Sequence, residues 1–320
     1  MKKYIALILA LVMVLTMSAC GGEPADNGKL TIGICQIEPH PALDAATQGF
    51  KDALIAEFGE ENIEFLEQNA AGDSNTLNTI INDFVSKKVD LILANSTPVL
   101  QTAAAATTTI PILGTSVTEY SVALDLDNFE GVVGGNISGT SDLAPLEKQA
   151  DMISEWFPEA KNIGLLYCLA EANSKYQVDV VKAYLESKGL NVTLYGFSST
   201  SDMAAVTQEA ADSSDVIYVP TDNTVANSTG VINEICLAAR VPIIAGEEDT
   251  CSGCGVATLS ISYYDLGVTT GEMAVKILKG EADISTMPIQ YAGAPTAKYD
   301  ADRCAELGLT PPEGYVPIGE

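Results

Sequence analysis

The residues of this 320-residue chain with most scope for chemistry are two acidic clusters and a histidine held between prolines. The clusters are Asp222-Asn223 and Glu247-Glu248-Asp249, and the histidine sits in Glu38-Pro39-His40-Pro41. Each follows a short apolar run. So do Asn95-Ser96-Thr97-Pro98, Thr115-Ser116-Val117-Thr118-Glu119, Glu171-Ala172-Asn173-Ser174 and Ser198–Asp202. A carboxylate beside an amide suits a cationic group such as an α-ammonium. Hydroxyls and free N–H groups at helix starts, as at Ser96-Thr97 and Asn173-Ser174, suit an anion such as a carboxylate. Helix capping by Ser, Thr, Asp and Asn is a plainer source of part of this polarity. It accounts for Ser201-Asp202 and Asp73-Ser74, but it requires neither a paired carboxylate and amide nor three acids in a row.

The chain has only two arginines, Arg240 before a strand and Arg303 near the tail. Many carboxylate sites use a bidentate arginine. Here a bound carboxylate would rest on backbone N–H groups and hydroxyls instead, with Asp or Glu for an amine. His40 is the single histidine; it either bonds a ligand or braces its turn. One histidine assembles no nucleophile triad, Gly134-Gly135 is no dinucleotide fingerprint, and no P-loop or G-x-S-x-G element occurs. No catalytic residue, cofactor or metal is expected, since a zinc site wants about four ligands and His40 is far from Cys251-Ser252-Gly253-Cys254. In an exported chain Cys251 and Cys254 form either a local disulfide or free thiols. Cys35, Cys168 and Cys236 lie in apolar runs and read as core, as does Trp156, on one helical face with Ile153 and Phe157. Tyr263-Tyr264 follow a strand end, where Tyr263 either stacks on a ligand ring or packs a hinge.

The elements that must position these groups alternate regularly. Strands are expected at Leu30–Cys35, Ile63–Glu67, Leu91–Ala94, Ile110–Gly114 and Gly131–Ile137, with helices at 41–58, 75–87 and 97–108. A second set follows: strands Ile163–Tyr167, Val192–Tyr195, Val216–Val219, Ile243–Ala245 and Ala257–Leu259, with helices at 142–157, 174–188, 201–211 and 224–239. Near-continuous apolar strands between helices mean parallel sheets covered on both faces. Two such sets mean two doubly wound α/β lobes, whose ligands bind beyond the carboxyl ends of the strands, where the polar clusters fall. Asn136–Asp142 reads as the first crossing between lobes. A further helix at 263–279 returns the chain to lobe one by fold precedent, and the chain crosses again near Gly280–Ser285.

At the start, Lys2-Lys3, an apolar run from Tyr4 to Met17 and small residues before Cys20 make a secretory signal, too short to span a bilayer. Met17-Ser18-Ala19-Cys20 resembles a lipobox, so Cys20 is the expected lipidation site and the chain is exported and anchored to the outer face of the cell membrane. Residues 21–29 are a polar tether. With 16 basic against 43 acidic side chains the formal charge is −27, which excludes a nucleic-acid partner and fits a soluble surface domain.

Several stretches resemble a known family, the substrate-binding lipoproteins of ABC transporters of the tryptophan/tyrosine-binding type. They are IGICQIEPHPALDAATQGF (32–50), QNAAGDSNTL (68–77), VDLILANSTPVLQTA (89–103), NISGTSDL (136–143), EANS (171–174), IYVPTDNTVANS (217–228) and YYDLGVTTGEMAVKILKGE (263–281). The resemblance spans nearly the whole mature chain in order. It implies the type I periplasmic-binding-protein fold, two Rossmann-like lobes joined by three crossings. On that pattern the signal covers 1–19, the tether 20–29, lobe one 30–139 plus 261–284, and lobe two 140–260 plus 285–320. It implies a monomeric receptor that captures an amino acid, aromatic in type (Tyr, Trp or Phe), and delivers it to an ABC permease and its ATPase. Carried over residue by residue, the ligand contacts fall among Glu38, His40, Ser96, Thr97, Asp142, Glu171, Asn173, Ser174, Asp222, Asn223 and Asp249; Ser116 and Tyr263 join them from the loop reading. The CSGC stretch and the Glu247-Glu248 pair depart from the family pattern. Other readings of the same lobes are a sugar or nucleoside receptor, a surface sensor or adhesin, and an exported α/β enzyme.

Overall fold

The computed structural model describes residues 28–319, so the expected signal, Cys20 and most of the tether lie outside the described residues. Apolar runs buried on both faces form strands, and the amphipathic segments between them form covering helices. The first set is β1 (Leu30–Gln36), α1 (Pro41–Phe58), β2 (Ile63–Asn69), α2 (Ser74–Lys87), β3 (Leu91–Asn95), α3 (Thr97–Ala106), β4 (Ile112–Val117), the short α4 (Tyr120–Ala123) and β5 (Ile137–Ser141). The second is α5 (Leu146–Trp156), β6 (Asn162–Cys168), α6 (Ala172–Ser187), β7 (Asn191–Phe197), α7 (Thr200–Ser213), β8 (Val216–Val219), α8 (Asn223–Ala226), α9 (Thr229–Ala239), β9 (Ile243–Ala245), α10 (Glu248–Cys254) and β10 (Ala257–Ser260). Then come α11 (Tyr263–Leu278), β11 (Gln290–Tyr291), β12 (Thr296–Tyr299), α12 (Ala301–Leu307) and β13 (Val316–Pro317).

The six-stranded sheet of lobe one has the order β11-β5-β4-β3-β1-β2, and the seven-stranded sheet of lobe two β13-β12-β10-β9-β8-β6-β7. The first five strands of each lobe are parallel and doubly wound; β12 pairs antiparallel with β10, and β13 runs alongside β12 in the same reversed direction. The winding reverses between β1 and β3 in one lobe and between β6 and β8 in the other, and such switch points are where these sheets bind ligands. Alternate side chains of β1 feed two cores. Ile32 and Ile34 pack with Phe50 and Met273, and Cys35 packs with Phe84 and Leu100. Trp156 is buried, edge-on to Tyr315 at 5.2 Å, and Cys168 and Cys236 are buried as expected.

The three crossings of the type I periplasmic-binding-protein fold are present, but two fall later than the sequence reading put them. The fifth strand is not Gly131–Ile137 but Ile137–Ser141, so NISGTS belongs to lobe one and the chain crosses at 142–145. The hydroxyls of that strand are bonded inward: Ser138 Oγ donates to Met287 O at 3.0 Å and Ser141 Oγ to Thr118 O at 2.7 Å, whereas Val132 is exposed. The third crossing lies at 292–295, because Gln290–Tyr291 still pairs with β5 before β12 joins the other sheet. Between them α11 returns to lobe one and lies against α1. Glycines permit this close approach: a Cβ on Gly267 would sit 2.0 Å from Ala46 O, and one on Gly49 2.1 Å from Tyr264 O.

Candidate functional site

The loops beyond the carboxyl ends of β1, β4, β6, β8 and β9 meet the first two crossings around a narrow cleft whose free volume, about 10 Å³, is room for about one water. Lobe one contributes His40, Leu43, Ser116 and Thr118; the crossings contribute Asp142 and Tyr263; lobe two contributes Asn173, Thr221, Asp222, Asn223, Ala226 and Glu247. Among the described residues, none that lines the cleft is lysine or arginine. Nor does any group of three or more His, Cys, Asp and Glu among the described residues offer a metal site.

Buried polar groups are almost always hydrogen-bonded, so those without a partner mark places meant for something else. His40 Nδ1, Ser96 Oγ, Thr97 Oγ1, Ser116 Oγ, Asp142 Oδ1 and Asn173 Oδ1 are buried and have no protein partner. Ser96 and Ser116 also have left-handed backbones, φ 121° and 53°, a strain that non-glycine residues keep mainly at functional positions. Ser96 precedes α3, and its N–H donates to Thr115 O at 3.0 Å, which sets it beside Ser116. Besides His40 Nδ1, the unpartnered groups divide into hydroxyls from lobe one and the acceptors Asp142 and Asn173.

Burial dominates the electrostatics. It raises the Asp142 carboxyl above its ordinary value; it raises Asp222 further, aided by Glu171. Burial and then Asp249 push Glu247 up to about 7, and burial lowers His40. A cleft so short of cations welcomes a positive group, which would favour the ionised carboxylates.

Two contacts close the cleft directly. Asn227 Nδ2 of lobe two donates to Glu38 Oε2 of lobe one, and His40 Nε2 lies 3.4 Å from Asn223 Oδ1. The structure is therefore a shut form.

The expected site residues separate by what their atoms touch. His40, Ser116, Asp142, Asn173, Asp222, Asn223 and Tyr263 line the cleft. Ser96 and Thr97 are buried and do not line the cleft, and Glu38 is engaged by Asn227. Asp222 is also the N-cap of α8: its oxygens accept from Cys168 N at 2.7 Å and Val225 N at 2.9 Å. Glu171 and Ser174 serve the same loop rather than open space. Glu171 accepts from Asn173, Asn223 and Thr224, and Ser174 Oγ donates to Thr221 O at 3.4 Å. Asp249 is not brought in. It faces a neighbouring groove with Ala42, Ala45 and Lys298, and Glu247, the N-cap of α10, lines the cleft instead. The expected ligand set omitted Thr118, Thr221, Ala226 and Asn227; Thr118 lies in the loop read with Ser116, and the other three share the 217–228 stretch with Asp222, which was the available signal.

Of the two states expected for Cys251 and Cys254, the structure has free thiols, not the disulfide. They lie one turn apart on α10, Cys254 Sγ donates to Thr250 O at 3.4 Å, and burial lifts both thiols far from thiolate formation. Arg303 is not placed for a ligand's carboxylate; its Nη1 pairs with Asp300 Oδ2 at 3.2 Å. Its guanidinium donates to the carbonyls of Cys251 at 3.0 Å, Ser252 at 3.1 Å, Gly253 at 3.2 Å and Gly255 at 2.7 Å, fastening the C-terminal end of α10.

The family description "ABC transporter substrate binding protein" matches residues 31–313. A protein of Clostridioides difficile (strain R20291) named "Tyrosine-binding protein" is 36% identical over 302 residues, 90% of this chain and 87% of that protein. An ABC domain from Streptococcus pneumoniae solved in complex with L-Trp is 31% identical, with a TM-score of 0.85 over 90% of this chain and 99% of that one. The ligand-free, open structure of a substrate binding protein with adhesive properties from Clostridium difficile is 38% identical, and the match covers 90% of this chain and 99% of that one, yet its TM-score is 0.69. The more identical chain superposes less well, as the shut lobes described above require.

Proposed function

The chain belongs to the family of ABC transporter substrate binding proteins, and from that premise we propose that it captures an aromatic amino acid as a zwitterion between its lobes. It then delivers the amino acid to an ABC permease and its ATPase. The observation that carries this reading is the set of unpartnered buried atoms around a cleft without lysine or arginine. Ser116 offers a hydroxyl donor to a carboxylate; Asp142 and Asn173 offer acceptors to an ammonium, with Asp222 and Glu247 adding negative charge. Leu43, Ala226 and Tyr263 supply apolar wall for a ring. A relative named for tyrosine and another solved with L-Trp support the aromatic class.

A ligand that bridges both lobes gives the shut form contacts the open form lacks, and so shifts the balance toward closure. Release demands moderate affinity, of micromolar order or about 8 kcal/mol. Members of this family work outside the cytoplasm, and lipid on Cys20 is the proposed tether to the membrane for a monomeric receptor. Thermal-shift screening of the lipid-free domain against each L-amino acid tests the ligand. Tyr, Trp or Phe at a large excess over Kd should raise the melting temperature, with a stabilisation of about 4 kcal/mol at a thousandfold excess. No shift with any amino acid overturns the ligand class and leaves the fold untouched.

A further inference from the structure

We infer that Glu171, acting through Asn223, sets the tautomer of His40 so that the ring Nδ1 accepts a hydrogen bond from an N–H or O–H donor of the ligand. This rests on the proposed capture of an amino acid in the cleft. Every hydrogen bond that the Glu171 carboxylate makes is one that it accepts. Its Oε2 takes Asn223 N at 3.0 Å and Asn223 Nδ2 at 2.6 Å, and its Oε1 takes Thr224 N at 2.9 Å and Thr224 Oγ1 at 2.8 Å. Turning the Asn223 amide over would place its oxygen against that carboxylate, acceptor on acceptor. The amide is thereby oriented, and Oδ1 is the atom that faces His40.

His40 Nε2 lies 3.4 Å from that oxygen, so Nε2 carries the proton. A neutral imidazole has one N–H, which leaves Nδ1 as a bare acceptor. Burial favours the neutral ring over the imidazolium, against the pull of Glu171 and Asp44. His40 is only 7% exposed, lines the cleft, and its Nδ1 has no partner in the protein. Glu171 and Asn223 belong to lobe two and His40 to lobe one. The proton is therefore assigned by closure itself, and the ring becomes selective for a donor when the lobes meet. Glu171 is a positioning residue in this scheme and touches no ligand.

The chain has one histidine, so long-range 1H–15N spectra of uniformly labelled, untagged mature protein report His40 alone. With saturating L-Trp the spectrum should show the Nε2–H tautomer. Glu171→Gln should mix or reverse the pattern and weaken L-Trp binding at least tenfold. Asn223→Ala, which spares the Glu171 cap on Thr224, should do the same if the first variant folds poorly. Titrating both variants with L-Phe, L-Tyr and L-Trp separates the two donor sources. Equal losses identify the ammonium, and losses that spare L-Phe identify the ring donor; either supports the inference. An Nδ1–H ring or an imidazolium in the bound wild type overturns it, as do variants that keep both tautomer and affinity. Failure of all three amino acids to bind the wild type overturns the ligand class and the acceptor role with it, whereas binding with the wrong tautomer overturns the role alone.

Discussion

Tyr263 Oη donates to Asp142 Oδ2 at 3.0 Å, tying the second crossing between the lobes to the first. Both residues are buried and both line the cleft. The hydrogen bond fixes which carboxylate oxygen remains for a ligand: Oδ1, which has no partner in the protein. A hinge group and a recognition group are here the same side chain. Bending at the crossings and binding in the cleft are therefore coupled through one contact.

Asp142→Asn tests this. The amide keeps the size of the side chain and an oxygen for Tyr263, but turns an N–H₂ toward the ligand's ammonium. Calorimetric titration should show affinity reduced at least tenfold, about 1.4 kcal/mol or more. The melting temperature should hold or rise, since a buried charge without a full complement of partners has been removed. Wild-type affinity in this variant removes Asp142 from the site.

Glu247 gives a pH signature with a definite sign. Its carboxyl is raised from 4.5 in the unfolded chain to about 7 in the fold, first by burial and then by Asp249. Between these values only the folded state holds the proton, so the contribution of Glu247 to stability is lost as pH rises from 4.5 through about 7 and is constant above. Relative to wild type, Glu247→Gln should gain on the order of 2–3 kcal/mol between pH 5 and 8 in denaturant titrations. Binding runs the other way: a cationic ligand prefers the ionised carboxylate, so wild-type affinity should climb through neutrality while the Gln variant stays flatter. Parallel profiles for both proteins would contradict the assignment.

Gly267→Ala should separate two packed helices. The added Cβ would meet Ala46 O at 2.0 Å, and backbone gives way far less readily than a side-chain tip. Overpacking of this kind costs about 1–3 kcal/mol. Because α11 begins with Tyr263, ligand affinity should fall together with the denaturation midpoint. Loss of stability with unchanged affinity would show that α11 tolerates the shift without moving the hinge.

The β/α alternation and the two lobes were legible because apolar runs and amphipathic spacing report burial directly, whereas the return of α11 came from fold precedent and not from periodicity. Strand β5 was not legible. Its residues Ser138, Thr140 and Ser141 look like a linker but bury hydroxyls in specific bonds, while the apolar Val132 just before it is exposed. Hydrophobic pattern cannot report a strand that satisfies its polar groups internally. At the site, loop position relative to strand ends located most of the cleft. Among the three consecutive acids, however, the one that faces it depends on where α10 starts. Glu247 caps that helix and lines the cleft, two residues before Asp249, and a seven-residue helix leaves too little periodicity to place its first turn. Glu171 was read as a contact, yet its oxygens are spent on neighbours, a fact that only a three-dimensional bond inventory supplies.

The clamp made by Arg303 gives the distal end of the polypeptide a stake in recognition. A protein shortened before that residue would take the guanidinium away from four carbonyls at the foot of α10, about 10 Å along the axis from the acid at its head. Trimming the tail, or appending a fusion that pulls it away, would accordingly be felt where cargo is held.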